Sequence, residues 1–194
     1  MTNSIDPVKQ HFIDSKERVT QQAQDPVLLE SASTFFSRSH ELKYSYNFNW
    51  LSRPIIQYPQ DILAFQEVVS SVKPDLIIET GIAHGGSLVL SASLLCLLDV
   101  MEGKDPRVSE RRVVGVDVDI RSHNREALDN HPLRFKMELI EGSSIDPVII
   151  SKVSSIANNY SNILVSLDSN HTHDHVLSEL NAYAQLASPG SYCI

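Results

Sequence analysis

The chain has 194 residues, of which 42% are hydrophobic and 21% are charged, and this is the composition of a globular domain that can bury its own core. Its 16 basic and 24 acidic residues give a formal net charge of −8 at pH 7. This acidic balance argues against a nucleic-acid partner, because phosphate backbones are bound by clustered Lys and Arg. It favours a small-molecule ligand that is neutral or basic.

The first ten residues, the most apolar stretch and the two cysteines together favour a cytoplasmic location. The first ten residues include Asp6 and Pro7 and lack the apolar segment of a signal peptide. The most apolar stretch, 88–98, is too short to span a bilayer, so we expect no membrane partner. Cys96 and Cys193 both lie in apolar surroundings, which is typical of reduced, buried side chains, although a disulfide between them stays open.

Residues 1–72 are predicted to form an N-terminal helical and aromatic arm. Seven of the chain's 13 aromatic residues cluster within 35–58, and they are Phe35, Phe36, Tyr44, Tyr46, Phe48, Trp50 and Tyr58. Clustered rings more often supply buried area against a main domain than a lid over a ligand site, and both interpretations stay open. Apolar residues then recur at helical spacing over 61–72, which predicts a helix that ends before Pro74.

Residues 73–194 are predicted to form an α/β domain with a doubly wound, mostly parallel sheet. Short runs rich in β-branched residues alternate with helical patterns, which indicates crossover helices between parallel strands. The predicted strands are 76–79, 112–116, 134–140 and 162–167, with a last strand that begins at Tyr192. The predicted helices are 86–101, 121–130, 147–158 and 172–187, the last with an apolar stripe at Val176, Leu180, Tyr183 and Ala187.

Ligands of an open parallel sheet bind beyond the carboxyl ends of its strands, so we look there for a site. The first strand end is the segment 79–87, Glu-Thr-Gly-Ile-Ala-His-Gly-Gly-Ser. Glycine in such a turn lets the backbone approach a ligand. The glycine spacing differs from the Gly-x-Gly-x-x-Gly dinucleotide fingerprint, and the Lys of a phosphate-binding loop is missing. An ordinary tight turn stays an alternative.

The next two strand ends carry small polar and acidic residues. Asp117 follows an apolar strand, where a carboxylate can accept both hydroxyls of a ribose or can cap a helix. Ser143 and Ser144 provide hydrogen-bonding side chains after the third strand. Asp146 before Pro147 is typical of an N-cap followed by the first helical residue.

The fourth strand end, 168–175, is the densest polar run of the chain. Asp168 leaves a strand where a ligand-binding or metal-binding acid is expected. His171 and His175 are four residues apart, a spacing that suits zinc on a helix, but the His-Glu-x-x-His arrangement of catalytic zinc is absent. A capping or solvated role for each histidine is the simpler interpretation.

A glycine turn, an acid, a small polar loop and a strand-end Asp, in this order, are typical of class I methyltransferases that use S-adenosylmethionine (SAM). The sequence more specifically resembles the cephalosporin hydroxylase family, whose members have this Rossmann-like methyltransferase fold. The resemblance covers about residues 42–194. It rests on the segments 50–61, 78–87, 115–121 and 168–176.

The resemblance implies a SAM-dependent, divalent-metal-assisted O-methyltransferase that acts on a small-molecule or sugar hydroxyl in natural-product or polysaccharide biosynthesis. It implies a cofactor site made of Glu79, Gly81, Ala83 and Ser87 around the methionine part, Asp117 at the ribose, and Ser143 and Ser144 at the adenine. Asp168 is the implied Mg²⁺ ligand. His171, three residues further on, is our candidate base, because imidazole titrates near neutral pH.

The family continues beyond the Ser-Pro-Gly-Ser-Tyr segment into a strand with an acidic pair that completes the metal site, whereas this sequence ends at Ile194. We therefore expect the last strands to be missing, the metal site to be incomplete and catalysis to be in doubt. An unfinished sheet edge also invites homo-oligomerisation.

Two alternatives to the methyltransferase stay open. One is a catalytically silent module for SAM binding or assembly. The other is an NAD-dependent oxidoreductase, which is disfavoured because 36 residues separate Gly81 from Asp117, against roughly 20 in dinucleotide-binding domains.

Overall fold

The structure is a computed structural model that describes residues 6–194. Its internal contacts divide the chain into two units, Met1–Tyr44 and Ser45–Ile194. Ile55 and Val69 belong to a hydrophobic cluster of the second unit, so residues 45–72 pack with the sheet. The domain boundary predicted after residue 72 stays a prediction.

The first unit consists of two helices, α1 (Pro7–Gln22) and α2 (Pro26–Glu41). Each begins at a proline that follows an aspartate, and the aspartate caps the helix. The Asp6 carboxylate accepts a hydrogen bond from Val8 N at 2.8 Å, and the Asp25 carboxylate accepts one from Val27 N at 2.9 Å. The predicted helical N-terminal region is thereby confirmed.

After a 3₁₀ turn at Tyr44–Asn47, the second unit contains a short antiparallel hairpin, β1 (Phe48–Trp50) and β2 (Arg53–Ile55). Helix α3 (Pro59–Val72) follows and ends at Lys73, which adopts a left-handed conformation before Pro74. The helix predicted over 61–72 is therefore present and begins two residues earlier.

A parallel four-stranded sheet forms the centre of this unit. Its strands are β3 (Leu76–Thr80), β4 (Arg112–Asp117), β5 (Met137–Glu141) and β6 (Ile163–Leu167), and their spatial order is β5-β4-β3-β6. The crossover helices are α4 (Gly86–Met101), α5 (Ser122–Asp129), α6 (Pro147–Ala157) and α7 (His173–Tyr183). A parallel bridge between Val165 and Cys193 adds the start of the last predicted strand beside β6.

The sheet is covered on both faces, as a doubly wound fold requires. On β3, Ile77 packs into a cluster with residues of α3 and α4, whereas Leu76 and Ile78 pack into a second cluster with residues of α6 and α7. This alternation follows the two-residue period of a strand. The predicted α/β fold class is confirmed.

Three details differ from the predicted elements. Residues 134–136 form a 3₁₀ helix before β5 instead of the start of the strand, and residues 184–186 form another after α7. On α7 the predicted apolar stripe is wrong at Leu180, which is 41% exposed. The buried positions of this helix are Glu179 and Tyr183. The Glu179 carboxylate can be buried because it accepts a hydrogen bond from the Ser169 hydroxyl.

The predicted aromatic cluster is divided between the two units. Phe48 and Trp50 pack against the hydrophobic cluster of the sheet unit, while Phe35 and Tyr44 lie in the first unit with their ring centroids 5.6 Å apart. Cys96 and Cys193 are both free, so no disulfide joins them. Across residues 6–194, no helix combines the length and the apolar character that crossing a membrane demands. The cytoplasmic location stays a prediction.

Candidate functional site

A cavity of about 600 Å³ opens at the carboxyl ends of β3, β4, β5 and β6. This is the size range of small-molecule sites, and it lies where the strand order reverses, between β3 and β6. Seven of the predicted site residues lie on its wall, and they are Gly81, Ala83, Asp117, Ser143, Ser144, Asp168 and His171. The parallel register therefore brings together side chains that are up to 90 positions apart in the sequence.

The glycine turn between β3 and α4 has an unusual backbone. Gly81, Ala83 and Gly85 have φ angles of +87°, +46° and +84°. Ala83 is strained there, because a residue with a Cβ rarely adopts positive φ. The Gly85 N–H closes the turn by donating to Ile82 O at 2.7 Å.

The reason for glycine at position 81 differs from the expected one. A Cβ placed there would lie 2.0 Å from the backbone oxygen of Asp168. The close approach that requires glycine is thus to the protein's own chain at the end of β6, and the expectation that glycine mainly admits a ligand needs this correction. Gly81 still borders the cavity.

Asp117 holds the glycine turn from the β4 side. Its Oδ2 accepts hydrogen bonds from Ile82 N at 2.8 Å and from Ala83 N at 3.0 Å, and its Oδ1 accepts one from Asp119 N at 3.1 Å. Asp117 does not cap α5, whose N-cap residue is Arg121. Each carboxylate oxygen can accept two hydrogen bonds, so Oδ1 retains capacity for a ligand hydroxyl.

Glu79 lies in the interior next to the turn. Its carboxylate accepts hydrogen bonds from the Ser87 hydroxyl at 2.6 Å and from the Ser91 hydroxyl at 3.2 Å. Burial raises the pKa of Glu79 to about 7, although these two hydroxyls oppose the shift. Glu79 and Ser87 lie outside the set of residues that line the cavity, and their predicted contact with a cofactor stays a prediction.

Asp168 and His171 form a pair on the cavity wall. The His171 Nε2 lies 3.3 Å from the Asp168 Oδ1, and the side chains are 82% and 47% exposed, respectively. Burial raises the pKa of Asp168, and the adjacent His171 opposes this shift. An imidazole and a carboxylate this close together on the cavity wall are the kind of groups that can take part in proton transfer.

The residues that the structure describes do not form a metal site. Within residues 6–194, no group of three or more His, Cys, Asp or Glu side chains is placed to hold a metal ion. Mg²⁺ takes six oxygen ligands in near-octahedral geometry, and Asp168 offers a single carboxylate. The zinc alternative also fails on geometry, because His171 precedes α7 and faces Asp168 while His175 bonds to two serines.

A polar cluster at the start of α7 was not singled out from the sequence. The His175 Nε2 lies 3.1 Å from the hydroxyls of both Ser144 and Ser169. Ser169 in turn donates to the buried Glu179 carboxylate at 2.7 Å. The cluster links the loops that follow β5 and β6, and the four-residue spacing of His175 and Glu179 on a helix was the signal that could have revealed it.

Comparisons with known proteins agree with this architecture. Residues 42–194 match the family described as "Rhamnosyl O-methyltransferase/CmcI". The chain is 32% identical over 136 residues to the rhamnosyl O-methyltransferases of Mycobacterium bovis and Mycobacterium tuberculosis, which covers 69% of this chain and 50% of theirs. The protein of the same name from Mycobacterium leprae is 26% identical over 146 residues, or 75% of this chain and 58% of that one.

A solved apo-structure of CmcI is similar to this structure, with a TM-score of 0.50 and 19% sequence identity. The similarity covers 77% of this chain and 56% of the CmcI chain. This similarity shows the shared fold. The chain spans about half the length of the mycobacterial relatives. With most of its length matched by the family, and with the resemblance read from its motifs confirmed, the chain belongs to the rhamnosyl O-methyltransferase/CmcI family.

Proposed function

We propose that this chain forms the SAM-binding part of an O-methyltransferase that acts on a sugar or another small-molecule hydroxyl. The observation that carries the proposal is the charge of the cavity. Among the described residues that line it, Asp117 and Asp168 are acidic and none is Lys or Arg. Such a wall suits a ligand with a positive charge, as in the sulfonium of SAM, better than the doubly negative pyrophosphate of NAD.

The predicted binding residues fit the parts of SAM in order along the sheet. The turn at Gly81 and Ala83, backed by Glu79 and Ser87, would hold the methionine part. The free acceptor capacity of Asp117 Oδ1 suits a ribose hydroxyl. The hydroxyls of Ser143 and Ser144, beside β5, would meet the adenine.

The proposed chemistry uses the pair on the cavity wall. When bound, SAM supplies an electrophilic methyl group. His171 would accept the proton of the acceptor hydroxyl, and the Asp168 carboxylate, 3.3 Å from its Nε2, would stabilise the resulting imidazolium. Holding the hydroxyl and the methyl group in line contributes much of the acceleration in such a transfer. No step is assigned to a metal, because the described residues do not form a metal site.

Support for a sugar acceptor comes from the mycobacterial relatives, which are named for methyl transfer to rhamnose. The test has two stages. Thermal denaturation with SAM, S-adenosylhomocysteine (SAH) or NAD is expected to show stabilisation by SAM and SAH alone, because a ligand that binds only the folded state raises its stability. Stabilisation by NAD alone would favour an oxidoreductase.

The second stage separates an enzyme from a silent binding module. Transfer of a radiolabelled methyl group from SAM to rhamnose-containing acceptors is measured for the wild type and for His171→Asn. Turnover that the variant loses, with SAH affinity retained, supports the proposal. Binding without turnover on any acceptor would instead support a silent binding module.

A further inference from the structure

The segment 50–61 carries part of the family resemblance, yet the proposed function assigns it no role. The structure places its hairpin, β1 and β2, against the start of α4. Trp50 Nε1 donates to the Ser93 hydroxyl of α4 at 3.0 Å. A Cβ on Gly86 would lie 2.2 Å from the Pro54 oxygen, so the backbones of the hairpin and the glycine turn are in direct contact.

Arg53 extends from this hairpin onto the glycine turn. Its Nε and Nη2 donate to His84 O at 2.8 and 2.5 Å. Nη2 also donates to the Asn124 Oδ1 at 2.7 Å. All three hydrogen bonds go to neutral oxygens, so the guanidinium serves as a fork of directed donors and not as one half of an ion pair.

Asn124 completes the contact from α5. Its Nδ2 donates to Ala83 O at 2.9 Å, and the residue is only 3% exposed. Arg53 therefore orients Asn124, and the two side chains together hold the carbonyls of Ala83 and His84. Asp117 holds the amides of Ile82 and Ala83 from the other side.

Three side chains from β2, β4 and α5 thus fix four polar backbone groups of one short turn. The turn contains Ala83 at φ +46°, a conformation that an unrestrained alanine would leave. Fixing it before the ligand arrives avoids the entropy cost of ordering it on binding.

We propose that Arg53 is a positioning residue of the cofactor site, acting with Asn124 to hold the carbonyl side of the glycine turn in its ligand-binding conformation. This inference rests on the proposed function. It gives the segment 50–61 a role in cofactor affinity rather than in fold stability alone.

The test compares two variants of this contact with a control from the same hairpin. Arg53→Gln removes the fork, and Asn124→Asp keeps an acceptor for Arg53 but cannot donate to Ala83 O. Trp50→Phe is the control, because it loses the hydrogen bond to Ser93 without touching the turn. SAH affinity is measured by calorimetry, and amide hydrogen exchange by NMR.

Asn124→Asp, which loses one hydrogen bond of a buried group, is expected to bind SAH about tenfold more weakly, and Arg53→Gln, which loses three, at least as weakly. In the absence of ligand, the Gly85 amide should exchange faster while the amides of β3 and β4 keep their protection. The Trp50→Phe control should lower the denaturation midpoint but change SAH affinity less than about twofold.

Two results would overturn the inference. If the wild type binds SAH and both variants bind it equally well, Arg53 has no positioning role although the proposed function stands. If the wild type does not bind SAH or SAM at all, the proposed function fails and the inference fails with it. Should Arg53→Gln lose protection throughout the sheet, Asn124→Asp decides the question, since it leaves the fork in place.

Discussion

Carboxylates lie at both ends of the sheet, but Asp99 at the amino end bonds to cations whereas Glu79 and Asp117 at the carboxyl end bond to neutral donors. At the amino end, Asp99 of α4 is fully buried between two cations, with Lys136 Nζ at 2.7 Å and Arg111 Nη1 at 2.9 Å. At the carboxyl end, Glu79 and Asp117 bond to hydroxyls and backbone amides. Of these three carboxylates, Asp99 is the one that is matched with fixed positive charges.

The pKa values follow this difference. Burial raises the pKa of both Glu79 and Asp99, but at Asp99 hydrogen bonds from Lys136, Ser109 and Arg111 outweigh it and lower the pKa. At the amino end, Asp99, Lys136 and Arg111 therefore form a network in which the buried negative charge is already neutralised by cations of the protein. Among the described residues that line the cavity at the carboxyl end, Asp117 and Asp168 are acidic and none is Lys or Arg, which is why we propose the SAM site there.

The largest expected effect concerns the amino end. Lys136→Met leaves the buried Asp99 with Arg111 as its remaining cation, and the free energy of unfolding should fall by about 3 kcal/mol, the low end for breaking a buried ion pair. Denaturant titration measures this loss. The control Lys104→Met removes an exposed ion pair with Glu102 and should cost less than about 1 kcal/mol. If Lys136→Met costs as little as the control is expected to cost, the amino-end network does not stabilise the fold.

The pH dependence of stability tests the carboxyl end. The pKa of Glu79 rises to about 7 on folding, so the folded state retains a proton that the unfolded chain releases. Stability should therefore fall as pH rises from 5 to 8, by about 2 to 3 kcal/mol from this group. Glu79→Gln should remove this part of the slope.

Thermal or urea denaturation at several pH values measures the slope, and the exposed Glu126→Gln serves as the control for the loss of one charge. Asp99 should act in the opposite direction, because its lowered pKa stabilises the fold at neutral pH and that contribution is lost in acid. A slope that Glu79→Gln leaves intact would contradict the assignment.

SAM affinity should depend on Asp117, whose carboxylate can accept a further hydrogen bond beyond those from the backbone amides. Asp117→Ala removes the acceptor for a ribose hydroxyl and releases the amides of Ile82 and Ala83. SAM affinity should fall by about 1 to 3 kcal/mol, measured by calorimetry. Asp119→Ala, a neighbouring exposed acid, should bind as the wild type does. Unchanged affinity in Asp117→Ala would exclude the ribose assignment.

Much of the carboxyl end could be predicted from the sequence, because strand periodicity and parallel order bring strand-end residues to one edge. Gly81, Asp117 and Asp168 follow from that rule alone. The polar cluster around His175 does not follow from this rule, and the four-residue spacing of His175 and Glu179 indicates only that the two side chains share one helix face. Glu179 is a charged residue in the interior of a helix pattern, and its burial depends on Ser169 and His175, whose positions only the tertiary structure sets.

The amino-end network was hidden for a related reason. Asp99 lies near the end of a predicted helix, Arg111 just before a predicted strand and Lys136 within another. Burial of such charges depends on partners at distant positions in the sequence. Arg53 lies in the segment 50–61, whose pattern assigns it no separate role. Its targets are the His84 backbone oxygen, which leaves no trace in the amino-acid pattern, and the side chain of Asn124, which is 71 positions away in the sequence.

The smallest expected effect is that of Mg²⁺ on this chain. Asp168 is the predicted metal ligand, but within the described residues it stands without a cluster of further ligands, and its nearest ionisable partner is the imidazole of His171. Imidazole nitrogen suits zinc or nickel better than Mg²⁺. Millimolar MgCl₂ should therefore change SAH affinity less than about twofold, since a single carboxylate binds this ion weakly.

Calorimetric titration of SAH with and without MgCl₂, at ionic strength matched with NaCl, measures this effect in the wild type and in Asp168→Asn. Matching the salt matters because the acidic cavity is screened by any added ion. The two proteins should respond alike, and any methyl transfer should be independent of Mg²⁺. A saturable gain in SAH affinity or turnover that Asp168→Asn abolishes would contradict this prediction. The acid at the end of β6 would then bind Mg²⁺ without the further carboxylates that its coordination geometry calls for.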